Sequence, residues 1–197
     1  MIVLASNNKG KSEEIKSILK PLGIEVKNLD EMNIDIDILE TGSTFEENAI
    51  IKAKAIANII NMPVLADDSG LMIDALNGFP GIYSARFALP ITDYKIKNAM
   101  IIEKMNNITN RKACFICCMA LVYPNKEPQV FTGKIEGEII EEQKGNNGFG
   151  FDPIFFVPKY KMTIAEMNDD LKNHISHRYL AASALMEYLK EHPLEEE

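Results

Sequence analysis

The sequence predicts an α/β fold, and three observations carry that prediction. Short apolar runs alternate with segments of helical spacing in the first half of the chain. Two long β segments, Lys112–Tyr123 and Gln129–Glu142, flank a Pro124-Asn125 turn in the second half. No internal repeat or low-complexity linker divides them. The 197 residues suffice for one large domain or two lobes sharing a core, and a chain of this size buries roughly 70% of its unfolded surface without staples.

The elements follow from local chemistry. Ile2–Ala5 is an apolar run opening on a polar, glycine-containing loop. Ile15, Ile18 and Leu19 give helical spacing to 11–19, which Pro21 and Gly23 end. Ile24–Leu29 reads as a strand and the acidic stretch Asp30–Glu40 as a loop. The strongest helix spans Thr44–Asn61, with the stripe Phe45, Ala49, Ala53, Ile56 and Ile60, a capping box of Ser43 and Glu46, and Pro63 as its stop. Pro63–Ala66 is a buried strand ending at Asp67-Asp68-Ser69-Gly70. A helix is expected over 92–106, a strand over Ile154–Val157 and a last helix over His177–Lys190, before a frayed tail at Glu195–Glu197. Gly133 and Gly137 suggest bulges or bends in the second long strand.

Composition excludes several functions. Apolar content of 46% and charged content of 25% are those of a globular protein. A net charge of -8, from 21 basic and 29 acidic residues, argues against broad nucleic-acid or membrane-surface binding. Any phosphate ligand must then be held by local cations and backbone N–H groups, which favours a small ligand. No apolar run reaches the roughly 18 residues of a membrane span, and the start MIVLASNNKGK lacks the features of a signal peptide. Cys114, Cys117 and Cys118 crowd one strand-like segment, with Cys117 facing away from the other two. A zinc knuckle would want a turn and a second ligand pair, so these read as buried reduced thiols, in keeping with a cytoplasmic location.

Four polar clusters carry the chemistry. Ser6-Asn7-Asn8-Lys9-Gly10-Lys11-Ser12 lies between strand and helix, where orphan N–H groups and the helix dipole suit a phosphate. Lys9 and Lys11 are cations at the end of the helix that disfavours them, a cost an anionic partner would offset. A capped helix with solvated lysines is the bland alternative. Gly10-Lys11-Ser12 matches the end of a P-loop, but Ala5 occupies the place of its first glycine, which counts against that reading. In the second cluster, Glu40 precedes Glu46, Glu47, Asn48 and Lys52; Asn48 and Lys52 share a helix face, ordinarily a solvated one. The third, Asp67-Asp68-Ser69, follows a strand, where carboxylates suit Mg²⁺ or simply make a turn. In the fourth, the glycine-aromatic loop Asn146–Pro153 pairs with Lys172 and Ser176-His177-Arg178. Its aromatics could stack on a base, Asn-Gly could equally make a turn, and Ser176 would cap the last helix.

Taken together, SNNKGK, ETGSTFEENAIIKA, ADDSGL, NGFPGIYSAR, GFGFDPIFF and ISHR, in this order over about residues 2–190, resemble the inosine triphosphate pyrophosphatase family. The resemblance implies one domain over 1–197, with a long mixed central β-sheet flanked by helices and two lobes with a cleft between them. It implies a homodimer that uses Mg²⁺ to hydrolyse ITP, dITP and XTP to monophosphate and pyrophosphate, with no nucleic-acid or membrane partner. By the same resemblance Ser6, Asn7, Asn8, Lys9, Gly10 and Lys11 bind the triphosphate with help from Lys52. Glu40 and Asp68 hold the metal, Asp68 is the general base with Asp67 in support, and Ser69 touches substrate. Phe149, Gly150, Phe151, Asp152, Lys172, His177 and Arg178 form the base pocket. Phe151 stands where relatives often carry Tyr or Trp, and Asn7 where glycine is frequent. Donors such as Arg178 or His177 aimed at purine O6 would accept hypoxanthine and xanthine and reject adenine.

Overall fold

The computed structural model describes residues 1–6, 8–36 and 38–194. Asn7 and the tail at 195–197, both named above, lie outside the described residues. Seven strands form one mixed sheet in the order β2-β1-β3-β4-β5-β6-β7. They are β1 (Ile2–Leu4), β2 (Val26–Asn28), β3 (Val64–Ile73), β4 (Lys112–Val122), β5 (Gln129–Ile139), β6 (Phe155–Val157) and β7 (Met162–Thr163). Among the described residues the α-helices are α1 (Lys9–Leu19), α2 (Phe45–Ile60), α3 (Tyr94–Lys104), α4 (Asp169–Ile175) and α5 (His177–Glu191). β1 pairs parallel with β2 and β3, because α1 and α2 supply the crossovers that parallel neighbours need. β6 pairs antiparallel with β5 and β7, reaching β7 by a short connection of the kind antiparallel neighbours allow.

The chain folds as two units. The first comprises residues 1–68, 117–133 and 177–197, and covers both faces of its sheet. Side chains alternate along a strand, so Ile2, Leu4 and Leu65 pack with Ile15, Ile18 and Leu19 of α1 and Ala181 and Leu185 of α5. Val3, Val64 and Ala66 pack with Ala49, Ala53 and Ile56 of α2 on the other side. The continuous apolar run of β1, buried at all three positions, is what a strand covered on both faces requires. Gly133 explains how α5 comes so close: a Cβ there would run into the His177 carbonyl oxygen and the Ala181 amide. Gly133 and Gly137 are places of close approach, the latter beneath Phe155 and Phe156 of the second unit.

The second unit comprises residues 69–116 and 134–176. Its core gathers Leu71, Ile73, Ile101, Met105, Phe115, Ile139, Phe151, Ile154 and Phe155. Asp93 caps α3 by accepting from Lys95 N–H at 2.8 Å, and Asn168 caps α4 by accepting from Leu171 N–H at 2.8 Å.

Two expectations are corrected, and one helix was not foreseen. β3 does not stop at Ala66 but runs on through Asp67-Asp68-Ser69-Gly70 to Ile73; burial on both sides overrides the turn preference of those residues. The α2 cap sits one residue later: Thr44 Oγ1 accepts from Glu47 N–H at 3.1 Å, while Glu47 accepts from the Ser43 amide and hydroxyl. Helix α4 was not legible, since seven residues with apolar contacts only at Leu171 and Ile175 show almost no periodicity.

Candidate active site

In the first unit, the end of β1 delivers the chain to the N-terminus of α1. Asn8 is the N-cap: its Oδ1 accepts from Lys11 N–H at 3.1 Å, and Ser6 Oγ accepts from Asn8 N–H at 3.3 Å. Lys9 and Gly10 are exposed in the first turn, which holds no acidic residue. Lys11 turns inward and its Nζ lies 2.9 Å from Asp67 Oδ2. Across the same carboxylate stands Arg178, buried in the first turn of α5, with Nε 3.7 Å from Asp67 Oδ2 and Nη1 2.5 Å from Glu14 Oε2. The buried chain Lys11–Asp67–Arg178–Glu14 thus alternates in sign. Burial alone would raise the Asp67 pKa, but Lys11, Arg178 and Lys52 outweigh it and hold that carboxyl well below the usual range. Burial works against the Arg178 charge, and Glu14 and Asp67 overcome it to hold the guanidinium protonated more firmly than usual.

These ion pairs bear on the misplaced cations. Lys11 and Arg178 each have a carboxylate of the protein's own, so part of the cost of charge at those two helix starts is met without a ligand. Lys9 is exposed in the first turn of α1.

Alternation along β3 sends the next residue, Asp68, to the α2 side, where Asn48 Nδ2 donates to its Oδ2 at 3.1 Å. Burial raises the Asp68 pKa and nearby Glu40 adds to the rise, with Lys52 and Lys11 acting in opposition. Lys52 Nζ bridges Glu40 Oε1 at 2.8 Å and the Asp67 carbonyl at 2.6 Å. Burial works against the Lys52 charge, and Asp67, Asp68 and Glu40 together push its pKa up. Lys52 therefore anchors the Glu40 loop to β3.

In the second unit, Asp152 is the pivot. Its Oδ2 accepts from Phe149 N–H at 2.9 Å and from Lys172 Nζ at 2.8 Å. Lys172 Nζ also stands 4.8 Å from the centroid of the Phe149 ring, a cation–π distance. The two aromatics of the loop have different fates. Phe149 is 40% exposed, while Phe151 is buried with its ring edge-on to Tyr94 at 5.4 Å. Phe149 can stack on a ligand, whereas Phe151 belongs to the core. Gly148, at φ +76, lets the loop pass close to the Asp152 carboxylate. The Gly150 carbonyl accepts from Asn98 Nδ2 at 3.2 Å. A pocket of about 360 Å³ opens beside this loop, lined among others by Tyr94, Asn98, Gln143, Asn147 and Phe149. Ser69 begins this unit on β3 and is half-buried.

The structure divides the expected site residues accordingly. Ser6, Asn8, Lys9, Gly10, Lys11, Glu40, Lys52, Asp67, Asp68, His177 and Arg178 belong to the first unit. Ser69, Phe149, Gly150, Phe151, Asp152 and Lys172 belong to the second. Two residues were overlooked in sequence. Asn48, placed above on a solvated face, is 0% exposed; it follows Phe45 by three, and so lies on the apolar stripe. Glu14 lies three residues after Lys11 on the same helix face, and its partner is Arg178 of α5. The three thiols are free and buried, and burial pushes the pKa of each up.

Among the described residues, no three His, Cys, Asp or Glu side chains gather as a metal cage. Two carboxylates, Glu40 and Asp68, do interact, and Mg²⁺ takes one or two carboxylates, completing its shell with water and phosphate. The donor set fits that ion.

Residues 2–188 match the profile of the Ham1 family. A Staphylococcus aureus protein named dITP/XTP pyrophosphatase is 46% identical over 188 residues, covering 95% of both chains. A Clostridium tetani protein of the same name is 46% identical over 192 residues, covering 96% of both. Among solved structures, a Ham1 protein from Staphylococcus aureus superposes with a TM-score of 0.89 at 44% identity, covering 97% of this chain and 98% of that one. A HAM1 protein from Coxiella burnetii gives 0.90 at 43% identity, covering 96% and 98%.

Proposed function

The chain belongs to the Ham1 family, and from that premise we propose that it hydrolyses non-canonical purine nucleoside triphosphates (dITP, XTP and ITP) to the monophosphate and pyrophosphate. The observation that carries this reading is near-full-length identity of 46% to proteins named dITP/XTP pyrophosphatase. The two buried aspartates of β3, with Lys11 and Lys52 beside them, support it, because handling a triphosphate needs charge held at fixed positions.

In the first unit, Ser6, Asn8 and Lys11 at the α1 start receive the triphosphate, whose charge the helix N-terminus and Lys11 stabilise. Asp67, locked as a carboxylate by Lys11 and Arg178, orients those cations and does not itself move protons. Asp68 orients and deprotonates the water that attacks the α-phosphorus as the bond to pyrophosphate breaks. Glu40 and Asp68 would hold Mg²⁺, which supplies charge neutralisation on the departing pyrophosphate. Lys52 fixes Glu40 by the hydrogen bond already described. In the second unit, Phe149 stacks on the purine, with Lys172 and Asp152 fixing the loop that carries it. Donors aimed at O6, to which the resemblance adds His177 and Arg178, would favour hypoxanthine and xanthine over adenine.

We further propose a homodimer in the cytoplasm. The resemblance supports the first and three buried free thiols the second; no helix of the described residues is long and apolar enough to cross a membrane.

The test is product analysis. Incubation with ITP, XTP, dITP, dATP or GTP and MgCl₂ should release pyrophosphate, fastest from the first three. Orthophosphate as the first product would overturn the reading, and no product at all would leave only a nucleotide-binding module.

A further inference from the structure

We propose that Asn48 is a positioning residue that sets the geometry of Asp68 and of the Glu40 loop together, so that the two carboxylates meet a divalent cation in one arrangement. The proposal rests on the catalytic reading of Glu40 and Asp68 given above.

Asn48 lies on α2 and is 0% exposed. Its orientation is fixed by chemistry. The Gly42 amide can only donate, and it lies 2.8 Å from Asn48 Oδ1, so that atom must be the oxygen. The other end is then necessarily the NH₂ group, which faces Asp68 Oδ2 at 3.1 Å. One planar amide therefore ties backbone two residues beyond Glu40 to the side chain of Asp68. Gly42 has no room for a side chain here: a Cβ would lie 2.7 Å from Asn48 Oδ1 and 2.7 Å from Glu47 Cβ. The loop is pressed directly onto the amide. Lys52, one turn along α2, makes a second bridge from Glu40 to the Asp67 carbonyl, so the Glu40 loop and the β3 aspartates are joined at two heights on one helix face.

An apolar side chain of the same size keeps the packing and loses both hydrogen bonds. Outer-shell partners of this kind typically change metal affinity or activity by about 10–100-fold. Asn48→Leu should lower kcat by roughly that factor while KM stays within about threefold, because Ser6, Asn8 and Lys11 are untouched. Calorimetric titration of the substrate-free protein with MnCl₂ should show weakened binding of about the same order. A purely structural asparagine would lower the melting temperature and leave kcat per folded molecule and Mn²⁺ affinity alone. That result overturns the proposal. If Asn48→Leu does not fold, Gly42→Ala reads out the same contact by pressing a methyl against Asn48 Oδ1, and unchanged kcat and Mn²⁺ binding there overturn it equally. Asp68→Asn run in parallel separates the two levels. Full activity in that variant removes the catalytic reading itself, whereas an inactive Asp68→Asn beside a normal Asn48→Leu removes only the role of Asn48.

Discussion

The two units use buried charge in different ways. The first carries a string of alternating charges, Lys11, Asp67, Arg178 and Glu14, with Asp68, Glu40 and Lys52 beside it. The second carries one buried pair, Asp152 and Lys172 at 2.8 Å, set among aromatic side chains. Burying an ion costs several kcal/mol before its partner offsets it, so a long buried string is an expensive construction if stability is its only purpose. It makes sense where charge must be stabilised as it develops, in the handling of phosphate. A single pair that also braces an exposed Phe149 makes sense where a flat, weakly polar surface has to be recognised. The difference fits the proposed division, with phosphate chemistry in the first unit and stacking on the purine in the second.

The sharpest way to break that division is Asp68→Asn. Turnover should fall by about 10³-fold or more, as for loss of a general base with its charge, with the melting temperature unchanged or raised. A fall of less than tenfold would move the chemistry elsewhere. Next in size is Asp67→Ala, which leaves Lys11 and Arg178 facing each other and should cost roughly 3–5 kcal/mol of stability in urea unfolding. The wild type adds a pH signature. A carboxyl held well below its unfolded value near 3.9 contributes stability in full above that value and loses it as pH falls further. Urea midpoints should therefore drop steeply below about pH 4 in the wild type, and more gently in Asp67→Asn. Lys172→Met, in the second unit, should raise KM for ITP about 10–100-fold with kcat nearly intact, as expected for binding shared by ground and transition states. Phe149→Ala should give the smallest effect, a KM rise of about fivefold, corresponding to about 1 kcal/mol at the low end of what stacking on a base is worth. If either second-unit variant lowered kcat as far as Asp68→Asn, the division of labour would be wrong.

Much of this was legible in the chain itself. Helical spacing placed α1 and α2, the long β pair placed β4 and β5, and the polar clusters around Lys11, Asp67 and Asp152 were singled out as candidate sites. Other features were not legible because they depend on what covers a residue. Asp67-Asp68-Ser69-Gly70 is good turn chemistry, and nothing local reveals that packing on both faces keeps it extended in β3. Asn48 reads as surface until the Gly42 amide and Asp68 are seen at its two ends. Arg178 reads as a helix-start cation seeking a ligand until Glu14, 164 residues earlier, is found beside it. Phe149 and Phe151 are chemically identical, and only tertiary packing makes one a platform and the other core.

The alternation of β3 has a consequence for how this site tolerates insertions and deletions. Asp67 and Asp68 differ in partners because one follows Leu65 on the α1 and α5 side and the other follows Ala66 on the α2 side. A single residue added or removed before them would exchange the two sides, giving Asn48 the carboxylate meant for Lys11 and Lys11 the one meant for Asn48. Every functional side chain would still be present, yet each aspartate would acquire the other's proton affinity. What β3 encodes here is parity: beyond the packing of its apolar residues, the number of residues ahead of the aspartates must stay even or odd as it is.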